Sequence, residues 1–199
     1  MRGLYAIADR PELAAAFARG GASVVQLRVK RAGAGEMLRA ARAAAGECRA
    51  RGVLFIVDDR ADVARLAGAD GVHLGQDDLD VSAARAVLGP GAIVGVSTHS
   101  DAEIDAALAA GADYLGFGPV FATATKEAAL PPPHGIEGLA RAVRRAGRTP
   151  VVAIGGITVA SAAAVAAAGA ACAAAISELC DASDPEGRAR AFAAAFGGG

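Results

Sequence analysis

Three polar side chains alternate along the segment Ser23–Lys30, which otherwise has the composition of a β-strand. On an extended chain Gln26, Arg28 and Lys30 leave one face together, while the valine and leucine residues between them form the opposite, apolar face. Two positive charges and an amide on one face would bind an anion at the mouth of a cavity. The alternative is an edge strand whose polar face lies in water.

Two carboxylates, Asp59 and Asp78, follow the next two apolar runs along the chain. If these runs are neighbouring parallel strands, the two side chains face each other across adjacent strand ends. Oxygen ligands without cysteine or histidine suit Mg²⁺ better than zinc, and Mg²⁺ is commonly shared between carboxylates and phosphate oxygens. The pair therefore indicates a metal-bound diphosphate beside Arg28 and Lys30. For any single aspartate, including Asp58, capping a helix is the alternative.

Two later loops have the composition of a second anion site. Gly155-Gly156 follows one apolar run and opens a helix, and Ile176-Ser177 follows the next run. Glycine lets the backbone approach a ligand closely, and backbone N–H groups at such loops often hold a phosphate in α/β barrels. The position of the two loops makes this signal stronger than a Gly-Gly pair alone.

The segment from Gly116 to Lys126 resembles a loop that grips a substrate. It leaves its strand through two glycines and delivers two hydroxyl groups and an ammonium group, at Thr123, Thr125 and Lys126. A solvated, threonine-rich linker is the alternative interpretation.

The composition limits the class of partner. The chain has 199 residues with 20 basic and 21 acidic side chains interspersed along it, and its net charge is −1. No basic stripe indicates nucleic acid, and no apolar run approaches the roughly 20 residues that span a membrane. The N-terminal segment is too short for a signal peptide. We therefore expect a cytoplasmic protein that binds small molecules, and we leave open whether it forms a homo-oligomer.

Short aliphatic runs alternate with alanine-rich helical stretches from end to end, and eight of them have strand composition. The predicted strands are Gly3–Ala8, Ser23–Val29, Val53–Val57, Gly71–Leu74, Ile93–Val96, Tyr114–Phe117, Val151–Ile154 and Cys172–Ile176. A Gly-Ala pair, at residues 21, 68, 111 and 169, recurs before every second strand, as four copies of a double βα unit would give. The pattern predicts a single (β/α)8 TIM barrel over residues 1–199.

In such a barrel the carboxyl ends of the strands form the active face, and the candidate residues above lie near the end of a predicted strand or after it. Two anion sites at one barrel mouth imply two substrates. Capping boxes are predicted at Ser100 with Glu103 and at Ser183 with Glu186. The three cysteines lack metal-ligand spacing and are expected to be reduced core residues. The histidines, at positions 73, 99 and 134, are expected to be structural or solvated.

The motifs together resemble the thiamine phosphate synthase family over nearly the whole chain and in order. The matching segments are Gln26–Lys30, Val57–Arg60, Gly71–Asp78, Gly95–Thr98, Gly111–Tyr114, Gly118–Phe121, Thr123–Lys126, Ala153–Ile157 and Ile176-Ser177. The resemblance implies a transferase that joins 4-amino-2-methyl-5-diphosphomethylpyrimidine to 4-methyl-5-(2-phosphoethyl)thiazole. The products would be thiamine phosphate and diphosphate. The cofactor would be Mg²⁺.

The family's functional residues carry over as three groups. The pyrimidine diphosphate would be held by Gln26, Arg28, Lys30, Asp58, Ser97 and Lys126; the thiazole phosphate by Thr123, Thr125, Gly156, Ile176 and Ser177; and Mg²⁺ by Asp59 and Asp78. Arg28 and Lys126 would be catalytic, since in this family the diphosphate leaves first and the thiazole nitrogen traps the pyrimidine cation. That chemistry needs stabilisation of a leaving anion, and the chain indeed offers no evident nucleophile or base.

The chain departs from the family at Asp58, where an asparagine is usual. The extra negative charge would repel the substrate, join the metal site, or be protonated against the aminopyrimidine, and the sequence leaves these alternatives open. Val29 replaces a usual glutamate but belongs to the opposite strand face.

Two other functions compete with the synthase. The related thiazole tautomerases place a catalytic histidine at the position of Pro119, and a metal-free isomerisation has no use for Asp59 and Asp78. A non-catalytic protein that binds thiazole phosphate or thiamine phosphate is the third hypothesis, motivated by Asp58.

Overall fold

A computed structural model describes residues 1–29, 32–123 and 131–198, which form a closed barrel of parallel strands in chain order. The strands are β1 Gly3–Ala8, β2 Val24–Leu27, β3 Leu54–Asp58, β4 Gly71–Leu74, β5 Ile93–Thr98, β6 Tyr114–Phe117, β7 Val151–Ala153 and β8 Cys172–Ala175. The helices are α1 Glu12–Arg19, α2 Ala34–Arg49, α3 Ala61–Ala67, α4 Val81–Leu88, α5 Asp101–Ala109, α6 Gly135–Ala146, α7 Val159–Ala167, α8 Ser177–Cys180 and α9 Pro185–Gly197. The predicted (β/α)8 barrel and the positions of its eight strands are confirmed.

The alternation of side chains along each strand builds two apolar layers. Residues on the outer face, such as Val25 and Leu27, pack with the inner faces of the helices in the main core. Residues on the inner face, such as Tyr5, Ile56 and Tyr114, fill the barrel itself. The interior is therefore a packed core, and a cavity opens where the strands end. No helix in the described parts of the chain is long and apolar enough to cross a membrane.

Tyr114 is accommodated inside the barrel because the facing position on β5 is Gly95. A Cβ atom on Gly95 would overlap the Tyr114 ring. We expect Gly95→Ala to lower the free energy of unfolding by about 3 kcal/mol, the upper range for overpacking a core. Gly46→Ala is the matched control, because a Cβ there meets nothing within 4 Å and alanine is the better helix former. Equal unfolding midpoints for the two variants in urea would contradict this packing.

The Gly-Ala repeat marks a recurrent turn before a strand. Gly21, Gly68, Gly111 and Gly169 have φ of 88°, 68°, 80° and 94°, the left-handed region that favours glycine. The repeat predicted from sequence is thus a structural unit.

One capping prediction is confirmed in part and the other is wrong. Ser100 caps α5 and its hydroxyl accepts from the Glu103 N–H, although the Glu103 carboxylate accepts from the N–H of His99 and not from that of Ser100. Asp184, not Ser183, caps α9 and accepts from the Gly187 N–H. A proline at the first position of α9 fixes where the helix begins, so the cap is the residue just before it.

The three cysteines are free and buried, as predicted. Burial raises the pKa of Cys48 to about 12 and those of Cys172 and Cys180 to about 11, from an ordinary value of 9.0. The unfolded chain therefore releases thiol protons at lower pH than the folded chain. We expect the free energy of unfolding to hold below pH 9 and to fall between pH 9 and about 12.

Urea titrations at a series of pH values measure this decline. Cys48→Ala is expected to make it shallower, because the thiol with the highest pKa of the three is removed. An unchanged profile in that variant would contradict the assignment to Cys48.

Candidate active site

A cavity opens where the strands end, and most of the predicted site residues line it together. Eight of them do so: Gln26, Arg28, Asp58, Ser97, Thr123, Gly156, Ile176 and Ser177. Asp59 and Asp78 are in the described chain but not in the lining. Lys30, Thr125 and Lys126 lie outside the described residues. The residues predicted for two different anions therefore share one cavity.

Gln26 and Arg28 lie on the same side of the chain, as their spacing predicts. Strand β2 ends at Leu27, earlier than predicted, but the N–H of Arg28 still donates to the carbonyl of Ala8 and continues the alternation by one residue. Gln26 is buried, and its amide nitrogen donates to the Tyr5 hydroxyl at 3.1 Å. An edge strand with its polar face in water is excluded, since β2 pairs with both β1 and β3.

Asp58 ends β3 and faces Arg28 across the cavity wall. Its carboxylate lies 3.2 Å from Arg28 Nε, and its exposed fraction is 7%. A carboxylate this buried needs a charged or hydrogen-bonding partner, and the guanidinium provides one. The extra negative charge noted in the sequence is therefore balanced by the cation beside it.

Asp59 and Asp78 follow β3 and β4 in two constrained loops. Asp59 has φ of 61° and is, within residues 1–29, 32–123 and 131–198, the only non-glycine residue with positive φ. Its N–H donates to the His73 carbonyl at 2.8 Å. Such left-handed backbone costs energy in a non-glycine residue and clusters at functional sites. Asp78 accepts a hydrogen bond from the Gly75 N–H at 2.7 Å, which orients its carboxylate.

The two carboxylates are a suitable donor set for Mg²⁺. No group of three or more histidine, cysteine or acidic side chains that could hold a metal is present among the described residues. Mg²⁺ does not require such a group, because it keeps several waters and takes one or two carboxylates together with substrate phosphates. Two aspartates at neighbouring strand ends match that requirement.

A line of hydrogen-bonded side chains crosses the floor of the cavity. The Tyr5 and Tyr114 hydroxyls are 2.8 Å apart, and His73 bridges from the Tyr114 hydroxyl to the Ser97 hydroxyl at 2.9 Å on each side. Burial raises the pKa of both tyrosines well above the ordinary value of 10.0. His73, predicted to be structural or solvated, is hydrogen-bonded within the barrel, and it also lines the cavity and contacts a predicted substrate-binding residue.

His99 also lines the cavity, at the end of β5. Its Nδ1 lies 2.6 Å from the Gly118 carbonyl, which ties the loop after β5 to the loop after β6. The sequence contained one signal for His73. Val72 and Leu74 are the apolar outward positions of β4, so His73 between them had to face inward.

The loops after β6 and β7 are joined by backbone hydrogen bonds. The N–H groups of Val120 and Phe121 donate to the carbonyls of Ile154 and Gly155, both at 2.9 Å. Gly156 has φ of 62°, and a Cβ atom there would overlap the Ala122 carbonyl. This glycine therefore permits the close approach of the loop that carries Thr123, which lines the cavity as Ser177 does.

The sequence did not indicate Glu178, which also lines this end of the cavity. Its carboxylate accepts from the Val159 N–H at the start of α7 at 3.3 Å and pairs with Arg188 at 3.2 Å. One N–H at that helix terminus is thus already satisfied.

A family model described as thiamine monophosphate synthase matches residues 4–179 of the chain. The chain belongs to this family. Curated relatives carry the name thiamine-phosphate synthase: the protein of Anaeromyxobacter dehalogenans is 52% identical over 99% of this chain and 89% of its own length. That of Chlorobium luteolum is 48% identical over 88% of this chain and 82% of its own length.

A solved structure from the same family has a similar fold. Thiamine phosphate pyrophosphorylase from Pyrococcus furiosus superposes with a TM-score of 0.90 at 35% identity, covering 98% of this chain and 96% of that one. The resemblance drawn from the motifs is confirmed. These names support the synthase and give no support to the thiazole tautomerase or to a non-catalytic binding protein.

Proposed function

We propose that this chain joins 4-amino-2-methyl-5-diphosphomethylpyrimidine to 4-methyl-5-(2-phosphoethyl)thiazole, forming thiamine phosphate and releasing diphosphate. The observation that supports this most strongly is that one cavity contains the Arg28 guanidinium, paired with Asp58, and, separately, glycine and hydroxyl groups at Gly156 and Ser177. Two anionic substrates bound at these two places would bring their uncharged rings together between them. Family membership supports the same reaction.

The reaction breaks the bond between the pyrimidine methylene carbon and the diphosphate oxygen, and the electron pair leaves with diphosphate. The thiazole nitrogen then gives its lone pair to the same carbon, so no proton has to move. The protein's task is to stabilise the negative charge that develops on the leaving oxygen. The Arg28 guanidinium and the Ser97 hydroxyl are preorganised donors for that charge in a partly enclosed cavity.

Lys30 and Lys126 belong to the same proposal through the family resemblance. Lys126→Ala is expected to slow the ionisation step by roughly 10²-fold, the scale of losing one preorganised donor. Single-turnover measurements of diphosphate release report this step. An effect confined to the KM for thiazole phosphate would contradict the role given to Lys126.

We further propose Mg²⁺ as the cofactor, held by Asp59 and Asp78. When bound, the ion would neutralise diphosphate charge next to Arg28. The protein contributes two carboxylates: that of Asp59, which extends from a left-handed backbone position, and that of Asp78, which the Gly75 N–H orients.

Asp59→Asn tests the metal site with little change to the backbone, because asparagine tolerates the left-handed region as well as aspartate does. We expect the Mg²⁺ concentration that gives half-maximal activity to rise at least about tenfold. Asp62→Asn is the control, since this exposed carboxylate pairs with Arg60 outside the cavity lining. The same Mg²⁺ dependence in both variants would contradict the assignment.

The proposed activity is tested by incubating the purified chain with both substrates and Mg²⁺. Thiamine phosphate and diphosphate are expected in equal amounts, and neither is expected to accumulate to that level when the thiazole is omitted. Isomerisation of the thiazole phosphate without diphosphate release would favour a tautomerase. Calorimetry that detects thiazole phosphate binding but no Mg²⁺-dependent binding of the pyrimidine diphosphate would favour a non-catalytic binding protein.

A further inference from the structure

Five side chains from five different strands form one continuous line of hydrogen bonds in the barrel. In order they are Gln26 of β2, Tyr5 of β1, Tyr114 of β6, His73 of β4 and Ser97 of β5. Successive polar atoms are 2.8 to 3.1 Å apart, the normal range for hydrogen bonds. We call these five residues the interior chain.

The interior chain has a direction, because each hydroxyl carries a single proton. The Gln26 amide nitrogen donates to the Tyr5 hydroxyl, so the Tyr5 proton is available for the Tyr114 oxygen. If Tyr114 accepts from Tyr5, its own proton is left for His73 Nδ1, which lies 2.9 Å away. An imidazole nitrogen that accepts carries no proton, so the proton of His73 lies on Nε2 and is donated to Ser97 Oγ.

The tyrosines are fixed as donors by their surroundings. Burial raises the pKa of Tyr5 and of Tyr114 far above neutral pH. Neither phenol becomes an acceptor-only phenolate under ordinary conditions, so the direction of the interior chain is maintained.

This direction determines where the Ser97 hydroxyl can donate, because its oxygen accepts from His73. We propose that His73 is a positioning residue: it holds its proton on Nε2, donates to Ser97 and so directs the Ser97 hydroxyl proton into the cavity, toward an anion. The identity of that anion as the departing diphosphate rests on the proposed function. The direction of the hydrogen bonds is inferred from the donation by the Gln26 amide and from the single proton of each hydroxyl.

The chain supplies an internal reference for the tautomer. His99 Nδ1 lies 2.6 Å from the Gly118 carbonyl, which only accepts, so His99 carries a proton on Nδ1. The two cavity histidines are thus expected to be opposite neutral tautomers.

Nitrogen NMR of the full chain with ¹⁵N-labelled histidine tests this without any substrate. At pH 8 we expect His73 to show a pyridine-type Nδ1 and a pyrrole-type Nε2, with the loss of signals in His73→Gln giving the assignment. Tyr114→Phe removes the donor to Nδ1 and is expected to shift the His73 signals while those of His99 stay in place. A pyrrole-type Nδ1 on His73, an imidazolium, or no response to Tyr114→Phe would overturn the proposal.

Kinetics then test whether His73 acts through Ser97. His73→Leu is expected to lower kcat by about 10²-fold, as Ser97→Ala does, whereas the double variant loses less than about threefold more than Ser97→Ala alone. His73→Gln keeps a terminal N–H that reaches Ser97 and is expected to retain most of the activity. Additive losses, or a glutamine variant as impaired as the leucine variant, would contradict an action through Ser97.

The proposed function and the positioning role of His73 can be refuted separately. A chain that forms no thiamine phosphate refutes the proposed function but leaves the tautomer measurement decisive for His73. An active chain with the opposite His73 tautomer refutes the positioning role and leaves the proposed function intact.

Discussion

Arg28→Met is expected to lower kcat/KM for the pyrimidine diphosphate by about 10³-fold. Methionine keeps much of the length and apolar volume of arginine but removes the guanidinium. Among the described residues that line the cavity, Arg28 is the only arginine or lysine. In a partly enclosed site the loss of such a charge is poorly compensated by solvent, and the effect should appear in diphosphate release measured under single-turnover conditions.

Asp58 provides the control for this variant. Removing Arg28 also removes the ion pair with a buried carboxylate, which is expected to cost about 3 kcal/mol in the free energy of unfolding. The double variant Arg28→Met/Asp58→Asn should regain most of that stability and none of the lost turnover. If the double variant also recovers turnover, the role of Arg28 is to balance Asp58 and not to bind diphosphate.

Gly156→Ala is expected to raise the KM for thiazole phosphate at least about tenfold, because the substitution disturbs the loop that carries Thr123. The added Cβ would overlap the Ala122 carbonyl and approach the Phe121 side chain. The loop after β6 must then move away from the loop after β7, and Thr123 moves with it. Steady-state kinetics with varied thiazole phosphate measure the effect, while the KM for the pyrimidine diphosphate should change much less.

Gly135→Ala isolates the steric part of this effect. Gly135 has φ of 66°, close to the 62° of Gly156, but a Cβ there meets nothing within 4 Å. Both variants are expected to be destabilised by about 1 to 2 kcal/mol, because a residue with a side chain is strained in left-handed backbone. Only the Gly156 variant should change the KM for thiazole phosphate. Equal KM values in the two variants would show that the contact with Ala122 does not position the binding loop.

Much of the fold could be predicted because each strand carries its own local signal. Aliphatic runs of four to seven residues, a polar residue near the end of each and a glycine turn before every second run were enough to locate the strands and to choose a closed barrel. The boundaries of the strands and helices could be predicted less accurately. The end of β2 and the cap of α9 depend on tertiary pairing and on the proline at position 185, and both were misplaced by one or more residues.

The site was predictable to the extent that it follows from strand ends. Gln26, Arg28 and Gly156 meet in one cavity because their strands do. The interior chain was not predictable in this way, since the partners of His73 are 24 and 41 residues away in sequence. The same holds for the pairing of Asp58 with Arg28, which depends on two strands lying side by side.

A crystal structure of the chain with Mg²⁺, diphosphate and thiamine phosphate tests the central claim most directly. The account predicts diphosphate oxygens within hydrogen-bond distance of Arg28 and Ser97, and the phosphate of thiamine phosphate against Gly156 and Ser177, both in the same cavity. Diphosphate bound away from Arg28, or both anions competing for one of the two places, would contradict it.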